Sequence, residues 1–244
     1  MNLPDYIIIG ETKCGTTSLY NYLIQHPRIK DTYGNGDEVD ASYGTKEIRF
    51  FDRYYYRGIN WYKKCFPETN NDEITGEGTP MYMYRAMALY RIYKHLPGAK
   101  FIVLLRNPTD RLFSNYQHYY RYVPGWAEKY PDFESYLNTC SDPDYFMIDK
   151  GIYVQSLQRW FYYFPKEQFY IDTSENLGNN TQRVYSNVLK FLGVDDYKLS
   201  SFSYYRKNEY KVMKEETRKL LSDFYQPYNQ KLYSLLNMDL KWDK

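Results

Sequence analysis

The sequence has few of the residues on which disulfide-bonded and metal-binding proteins depend. Its 244 residues include three histidines and three cysteines, Cys14, Cys65 and Cys140. The cysteines are odd in number and widely spaced, so they form neither a disulfide framework nor a metal-binding ladder. The histidines have no cysteine partners nearby, which makes a zinc site improbable. We therefore expect a protein of a reducing compartment that requires no metal.

Long apolar runs and a strong charge of either sign are also lacking. No run approaches the roughly 20 residues of a membrane-spanning helix, and MNLPDYIIIG lacks the basic start of a signal peptide. The 32 basic and 30 acidic residues leave a net charge of +2, which disfavours a general nucleic-acid binder. We expect a cytoplasmic protein without membrane or nucleic-acid partners.

The composition that is present predicts a folded protein. Hydrophobic residues make up 43% of the chain and aromatic residues 20%, enough to build a core and too much for disorder. The length predicts one domain over residues 1–244.

Short apolar runs alternate with helical patterns along the chain. The runs predict strands near residues 5–9, 73–77, 100–105 and 168–172. Helical patterns follow near residues 17–25 and 85–95, from Pro108, near residues 181–192 and from Lys214. This alternation predicts an α/β fold in which helices flank a central, mainly parallel sheet.

The first informative motif is IIIGETKCGTTSL at residues 7–19, a strand followed by a glycine-bounded turn and a hydroxyl-rich helix start. The amides of Thr16, Thr17 and Ser18 would face an anion in this turn, and Lys13 would add a positive charge. A nucleotide-hydrolysing loop ends in Gly-Lys-Ser/Thr, whereas residues 15–17 are Gly-Thr-Thr. A plain strand–helix turn with hydroxyl caps is the alternative interpretation.

The second motif is FIVLLRNPTDRLFSNYQH at residues 101–118. Arg106 stands at the carboxyl end of a strand, where its guanidinium can bind a phosphate through two hydrogen bonds, and Ser114 can add a hydroxyl. A Walker B strand would end in a metal-binding aspartate instead. The alternative is that Arg106 and Arg111 form surface ion pairs.

Together the two motifs resemble the 5′-phosphosulfate and 3′-phosphate motifs of sulfotransferases that use 3′-phosphoadenosine 5′-phosphosulfate (PAPS). The chain is most similar to heparan sulfate N- and 3-O-sulfotransferase domains, and the resemblance extends over nearly its whole length. It includes His26-Pro27, KEIRFFD at 46–52, GINWYKKCFP at 58–67, EGTPMY at 77–82 and GIYVQSLQRWFYYFP at 151–165. The resemblance implies a P-loop-like fold and transfer of a sulfuryl group from PAPS.

The resemblance also implies roles for individual residues. Lys13 matches the lysine that stabilises the leaving 5′-phosphate, and Glu47 matches the general base. His118 is a weaker acid–base candidate. The expected donor-binding residues are Lys13, Cys14, Gly15, Thr16, Thr17, Ser18, Arg106, Ser114, Tyr210 and Lys211. The alternative for Glu47 is a solvated pair with Lys46.

Three departures from the family pattern stand out. The heparan enzymes have a lysine at the position of Gly78, so one cation expected near the sulfate is missing. No cysteine follows Cys140 to close their disulfide-bonded cofactor loop, and we expect residues 204–213 to take its place. We also expect no counterpart of the family's Golgi membrane anchor.

The acceptor follows less directly from the sequence. Residues 31–45 carry four acids and no base, so a loop there beside the cleft would favour a neutral or cationic acceptor over a polyanion. A carbohydrate hydroxyl or amine and a small metabolite both fit. Two other classes are a P-loop-like kinase or NTPase, which would need ATP and magnesium, and an inactive nucleotide-binding scaffold.

Overall fold

A computed structural model describes residues 3–34, 46–138, 147–199, 202 and 212–243. Tyr210, Lys211 and residues 35–45 of the acidic segment lie outside the described residues, so the expectations placed on them stay predictions. The structure divides into two compact units, residues 1–105 with 159–206 and residues 106–158 with 207–244. The single domain expected from the length stays a prediction as well.

Five strands form the sheet of the first unit. They are β1 (Tyr6–Gly10), β2 (Ile29–Lys30), β3 (Ile74–Glu77), β4 (Lys100–Leu105) and β5 (Phe169–Thr173). All pair in parallel in the order β2-β3-β1-β4-β5. This sheet, flanked by helices, confirms the predicted α/β class.

The described part of the chain contains ten α-helices. They are α1 (Thr16–Leu23), α2 (Ile59–Lys63), α3 (Ala86–His95), α4 (Pro108–Tyr122), α5 (Trp126–Lys129), α6 (Phe133–Asn138), α7 (Tyr153–Tyr163), α8 (Ser174–Asn179), α9 (Thr181–Leu192) and α10 (Glu215–Leu236). One π-helical turn, Phe50–Tyr54, precedes the 3₁₀ turn Tyr55–Arg57. No helix within the described ranges has the length and apolar character needed to cross a membrane.

The central strand β1 lies between β3 and β4 and is buried along its whole length. Tyr6 pairs with Gly76 of β3 and with Lys100 of β4, and the register to β4 shifts between Ile8 and Gly10. A strand that is covered on both faces needs apolar residues at every position, which explains the unbroken YIIIG run.

Helices cover both faces of the sheet. On one face, Ile8 and Ile102 belong to an apolar cluster that includes Leu19 of α1 and Val188 of α9. On the other, Phe101 packs edge-on against Trp160 of α7 at a ring distance of 5.1 Å. Alternate residues of a strand thus contribute to different layers, as the period of two requires.

The second unit is built around α4 and α10. Phe133 and Tyr136 of α6 pack against Tyr116 of α4. The Tyr225 hydroxyl of α10 donates to the carbonyl oxygen of Ile148 at 2.9 Å. Aromatic side chains therefore supply much of the packing in this unit.

A close contact in the sheet gives a stability test. A β-carbon on Gly76 would lie 2.5 Å from ring atoms of the fully buried Tyr6. Since the ring has no free space, Gly76→Ala should lower the free energy of unfolding by about 1–3 kcal/mol. Chemical denaturation measures this change.

Gly98→Ala is the matched control. A β-carbon on Gly98 meets nothing within 4 Å, so this change should stay within about 0.5 kcal/mol. Equal effects of the two substitutions would contradict the packing described for Tyr6.

Candidate active site

The turn after β1 leads into the start of α1. Gly15 has φ 86° and Lys13 has φ 66°, both in the left-handed region, so the chain curls tightly before the helix. Cys14 is fully buried, so its side chain is not accessible to a ligand. Thr16 and Ser18 are buried in the first turn of α1, whereas Lys13 and Thr17 are partly exposed.

The start of α1 has the features of an anion site. Gly15 supplies no side-chain cap, and the first turn contains no acidic residue. The first amides of a helix have no partner within the helix, and its dipole makes this end positive. The arrangement fits a phosphate or sulfate group and explains the run of small hydroxyl residues better than a simple cap does.

A second helix start borders the same turn. A β-carbon on Gly15 would lie 3.2 Å from Leu177 and 3.7 Å from the Ser174 hydroxyl oxygen, both in α8. Ser174 immediately follows β5. The sequence did not indicate Ser174 as a neighbour of this turn. Its position depends on where β5 lies in the sheet, since β5 leads directly into α8.

Glu47 and Lys46 form an ion pair with little exposure to solvent. The Lys46 Nζ lies 2.8 Å from Glu47 Oε1, and the side chains are 4% and 12% exposed, respectively. The pair suggested as an alternative for Glu47 therefore exists, but it is not solvated.

The end of β3 meets both Lys46 and α1. The Gly78 amide donates to the Lys46 carbonyl oxygen at 2.9 Å, and Lys46 Nζ donates to the Gly78 carbonyl oxygen at the same distance. A β-carbon on Gly78 would lie 3.7 Å from both Lys46 Cδ and Tyr20 Cδ2 of α1. Gly78 is thus the point at which the segment that contains Glu47 approaches α1, the helix that follows the anion loop.

A buried carboxyl group, Glu77, organises the same region. Three hydroxyls donate to it: Thr79 at 2.6 Å to Oε2, and Tyr62 at 2.6 Å and Tyr82 at 3.1 Å to Oε1. The Thr79 oxygen accepts from the Arg49 amide, and the Tyr82 oxygen accepts from the Phe51 amide. Glu77 therefore orients the hydroxyls that hold the backbone just after Glu47.

Burial shifts the proton equilibrium of Glu77. Loss of solvation raises its pKa to about 7, although the bonds from Thr79, Tyr62 and Tyr82 act in the opposite direction. The nearby Asp52 carboxylate raises the pKa further.

In the second unit, Arg106 and Asn107 precede α4. The Asn107 side-chain oxygen accepts from the amides of Thr109 and Asp110 and so caps the helix. This cap satisfies amides that α1 leaves to other partners, so an anion at this junction would depend on side chains such as Arg106. The Arg106 carbonyl oxygen accepts from the Tyr153 hydroxyl at 2.9 Å.

The other predicted residues of the second motif lie within α4. Ser114 is buried, and His118 is partly exposed with its ring 5.0 Å from that of Tyr122. Arg111 is fully buried and donates to the Met147 carbonyl oxygen, so the surface ion pair considered for it is wrong. The contacts of a ligand with Arg106, Ser114 and His118 stay predictions.

The described ranges contain no group of three or more histidine, cysteine or acidic side chains that could hold a metal ion.

Comparison with known proteins decides the family. The family model for the sulfotransferase domain matches residues 3–231, nearly the whole chain. The chain belongs to the sulfotransferase family. The resemblance drawn from its two motifs is thereby confirmed.

Two curated relatives illustrate this membership. The membrane-associated sulfotransferase kil1 of Dictyostelium discoideum is 26% identical, over 98% of this chain and 66% of the relative. The heparan sulfate glucosamine 3-O-sulfotransferase 3B1 of Mus musculus is 28% identical, over 99% of this chain and 65% of the relative. The chain thus spans just under two thirds of the length of these relatives.

The structural similarity supports the same assignment. The crystal structure of a sulfotransferase from Alicyclobacillus acidocaldarius is 26% identical, with a TM-score of 0.79 and full coverage of both chains. The P-loop-like fold expected of a sulfotransferase is therefore confirmed.

Glu77 gives the folded chain a pH-dependent stability. Its pKa rises from 4.5 to about 7 on folding, so the folded state favours the protonated form. The stabilisation is fully present below pH 4.5 and is lost as the pH rises through 7. The loss is on the order of 3 kcal/mol.

Glu77→Gln removes the titration, because an amide carries no ionisable proton in this range. The free energy of unfolding of the wild type should fall relative to that of Glu77→Gln between pH 4 and 8, as measured by urea denaturation. A constant difference over that range would contradict the burial of an ionisable Glu77.

Proposed function

We propose that this sulfotransferase transfers a sulfuryl group from PAPS to a hydroxyl or amine of a carbohydrate. The observation that carries the proposal is the start of α1, which has neither a side-chain cap nor an acid in its first turn and follows a loop that contains Lys13. Such a helix start fits the phosphosulfate group of PAPS.

Two sets of residues are proposed to bind the donor. Lys13 and residues 14–18 hold the 5′-phosphosulfate, and Arg106 with Ser114 holds the 3′-phosphate. The support for the second set is that Asn107 already caps α4, which leaves anion binding to side chains. The 3′-phosphate distinguishes PAPS from ATP. No metal is needed in this scheme, because lysine and arginine neutralise the phosphate charges.

The proposed reaction is a single displacement at sulfur. PAPS supplies an activated sulfuryl group. The acceptor oxygen or nitrogen forms a bond to sulfur while its proton passes to Glu47, and the bond from sulfur to the bridging oxygen breaks. The electron pair of that bond stays on the 5′-phosphate of the product 3′-phosphoadenosine 5′-phosphate (PAP), where Lys13 stabilises it.

The candidate base has the surroundings that proton transfer requires. Glu47 is only 12% exposed, and its segment is fixed by bonds to Gly78, Thr79 and Tyr82. A base held in one position loses less entropy when it meets the acceptor.

The relatives support a carbohydrate acceptor. The mouse relative is named for sulfating the glucosamine of heparan sulfate. Heparan sulfate and free glucosamine are therefore the first acceptors to test, the former a polyanion and the latter a small cationic sugar. Turnover of glucosamine alone would favour a small-molecule acceptor.

Nucleotide selectivity is the first prediction of this proposal. PAP should bind without magnesium, and ATP with magnesium should bind far more weakly, as measured by calorimetry. Arg106→Ala should weaken PAP binding by about 10–100-fold, the usual effect of losing a charged hydrogen bond. Arg121→Ala, at the exposed end of α4, is the matched control and should leave the affinity unchanged.

Preference for ATP with magnesium would overturn the assignment in favour of a kinase or NTPase. An absence of binding by both nucleotides would support an inactive scaffold instead.

Glu47→Gln tests the base. This change keeps the shape of the side chain but removes its ability to accept a proton, so turnover should fall by about 10²–10⁴-fold. PAP affinity should stay within about twofold, because the base contacts the acceptor rather than the donor nucleotide.

Glu73→Gln is the control for this substitution. Glu73 also pairs with a lysine, Lys30, at 2.8 Å, and it lies outside the proposed site. Wild-type turnover by Glu47→Gln would exclude Glu47 as the base.

A further inference from the structure

The lysine beside the candidate base is almost completely withdrawn from solvent. The Lys46 side chain is 4% exposed, and its ammonium bonds to Glu47 Oε1 and to the Gly78 carbonyl oxygen at 2.8 and 2.9 Å. Among the described residues, Lys46 is the only hydrogen-bond donor to the Glu47 carboxylate.

This arrangement is costly to folding. A buried ion pair loses the hydration of both charges, and its mutual attraction often fails to repay that loss. Lysine is rarely this buried even when, like Lys46, it has a partner. Departures of this kind from the rules of stability are concentrated at functional sites.

The Lys46 side chain lies directly beside residue 78. Residues 46 and 78 are joined by two hydrogen bonds, one between backbones and one from the lysine side chain. A β-carbon on Gly78 would lie 3.7 Å from Lys46 Cδ, so a side chain at 78 would start in contact with the lysine stem. The glycine leaves this space to Lys46.

We propose that Lys46 is the positioning residue for Glu47, and that its ammonium supplies from residue 46 the cation that a lysine at residue 78 would otherwise bring. Lys46 holds Oε1 of the carboxylate and so directs Oε2 to the acceptor proton. This inference rests on the proposed function, because it assigns a partner to the proposed base.

The neighbouring hydrogen bonds do not act on the Glu47 carboxylate, so the positioning role is specific to Lys46. Thr79 and Tyr82 hold the amides of Arg49 and Phe51, and these bonds fix the backbone rather than the carboxylate of Glu47. Loss of the ammonium would therefore free the Glu47 side chain while leaving its backbone in place.

The test moves the charge from one residue to the other. The variants are Lys46→Met, Gly78→Lys and the two combined, each also made in a Glu47→Gln background. A β-carbon on Gly78 makes only ordinary contacts of 3.6–3.7 Å, so the backbone accepts the new side chain. PAP release from PAPS is measured with heparan sulfate, glucosamine and water as acceptors, together with PAP affinity and melting temperature.

Lys30→Met is the matched control. Lys30 Nζ also bonds to a glutamate and a backbone carbonyl oxygen, Glu73 at 2.8 Å and Pro27 at 3.1 Å. It lies in β2, apart from the proposed base, so its loss should leave turnover unchanged.

We expect Lys46→Met to lower kcat at least tenfold while PAP affinity stays within twofold. Adding Gly78→Lys to this variant should restore most of kcat and raise the melting temperature. In the otherwise unaltered protein, Gly78→Lys should lower both kcat and the melting temperature, because the ammonium groups of residues 46 and 78 would compete for the same space. When Glu47→Gln is already present, adding Lys46→Met should lower kcat by less than a further factor of two.

Each remaining outcome counts against one part of the scheme. Wild-type kcat of Lys46→Met with an inactive Glu47→Gln would overturn the positioning role alone. The positioning role would also be overturned if Gly78→Lys restored neither kcat nor the melting temperature of Lys46→Met. Wild-type kcat of Glu47→Gln would overturn the base and the positioning role together, and lack of PAP release by the unaltered protein would count against the proposed function.

Discussion

The buried carboxyl of Glu77 is the interaction on which the candidate base depends. It lies at the end of β3 and receives hydrogen bonds from Tyr62, Thr79 and Tyr82. Two of these hydroxyls in turn accept the backbone amides of residues 49 and 51. A single acidic group thus orients three flexible hydroxyls, two of which act as fixed acceptors for backbone amides. A polar network of this kind is stable only when its members are all satisfied.

The two strand–helix junctions use different physical means at their helix starts. At α1 the first turn has no side-chain cap, whereas at α4 the Asn107 oxygen satisfies two amides. The first junction therefore offers backbone donors and a helix dipole, and the second offers a guanidinium.

The sequence was informative where a short pattern determines the structure. The bounds predicted for β4 and α9 agree with Lys100–Leu105 and Thr181–Leu192, because both segments have clear periodicity and turn residues at their ends. The two-residue strand β2 is too short to show a period, and the aromatic helix α7 was not predicted.

The candidate site likewise combines features that a short sequence pattern predicts with features that only packing creates. The loop motif predicted a turn that leads into a helix start with exposed amides, whereas the surroundings of Lys46 and Glu77 depend on burial that only the packed structure creates. Arg111 makes the point most clearly, since a charged residue that reads as surface is fully buried against the Met147 carbonyl.

The central place of β1 has a consequence for synthesis of the chain. Strand β1 is paired on both sides with strands that come later in the chain and end at Glu77 and Leu105. Until the chain has been made as far as Leu105, the YIIIG segment lacks the neighbours that pair with both of its edges. Such a nascent strand is a natural site for chaperone binding or aggregation, because non-local parallel pairing delays its burial.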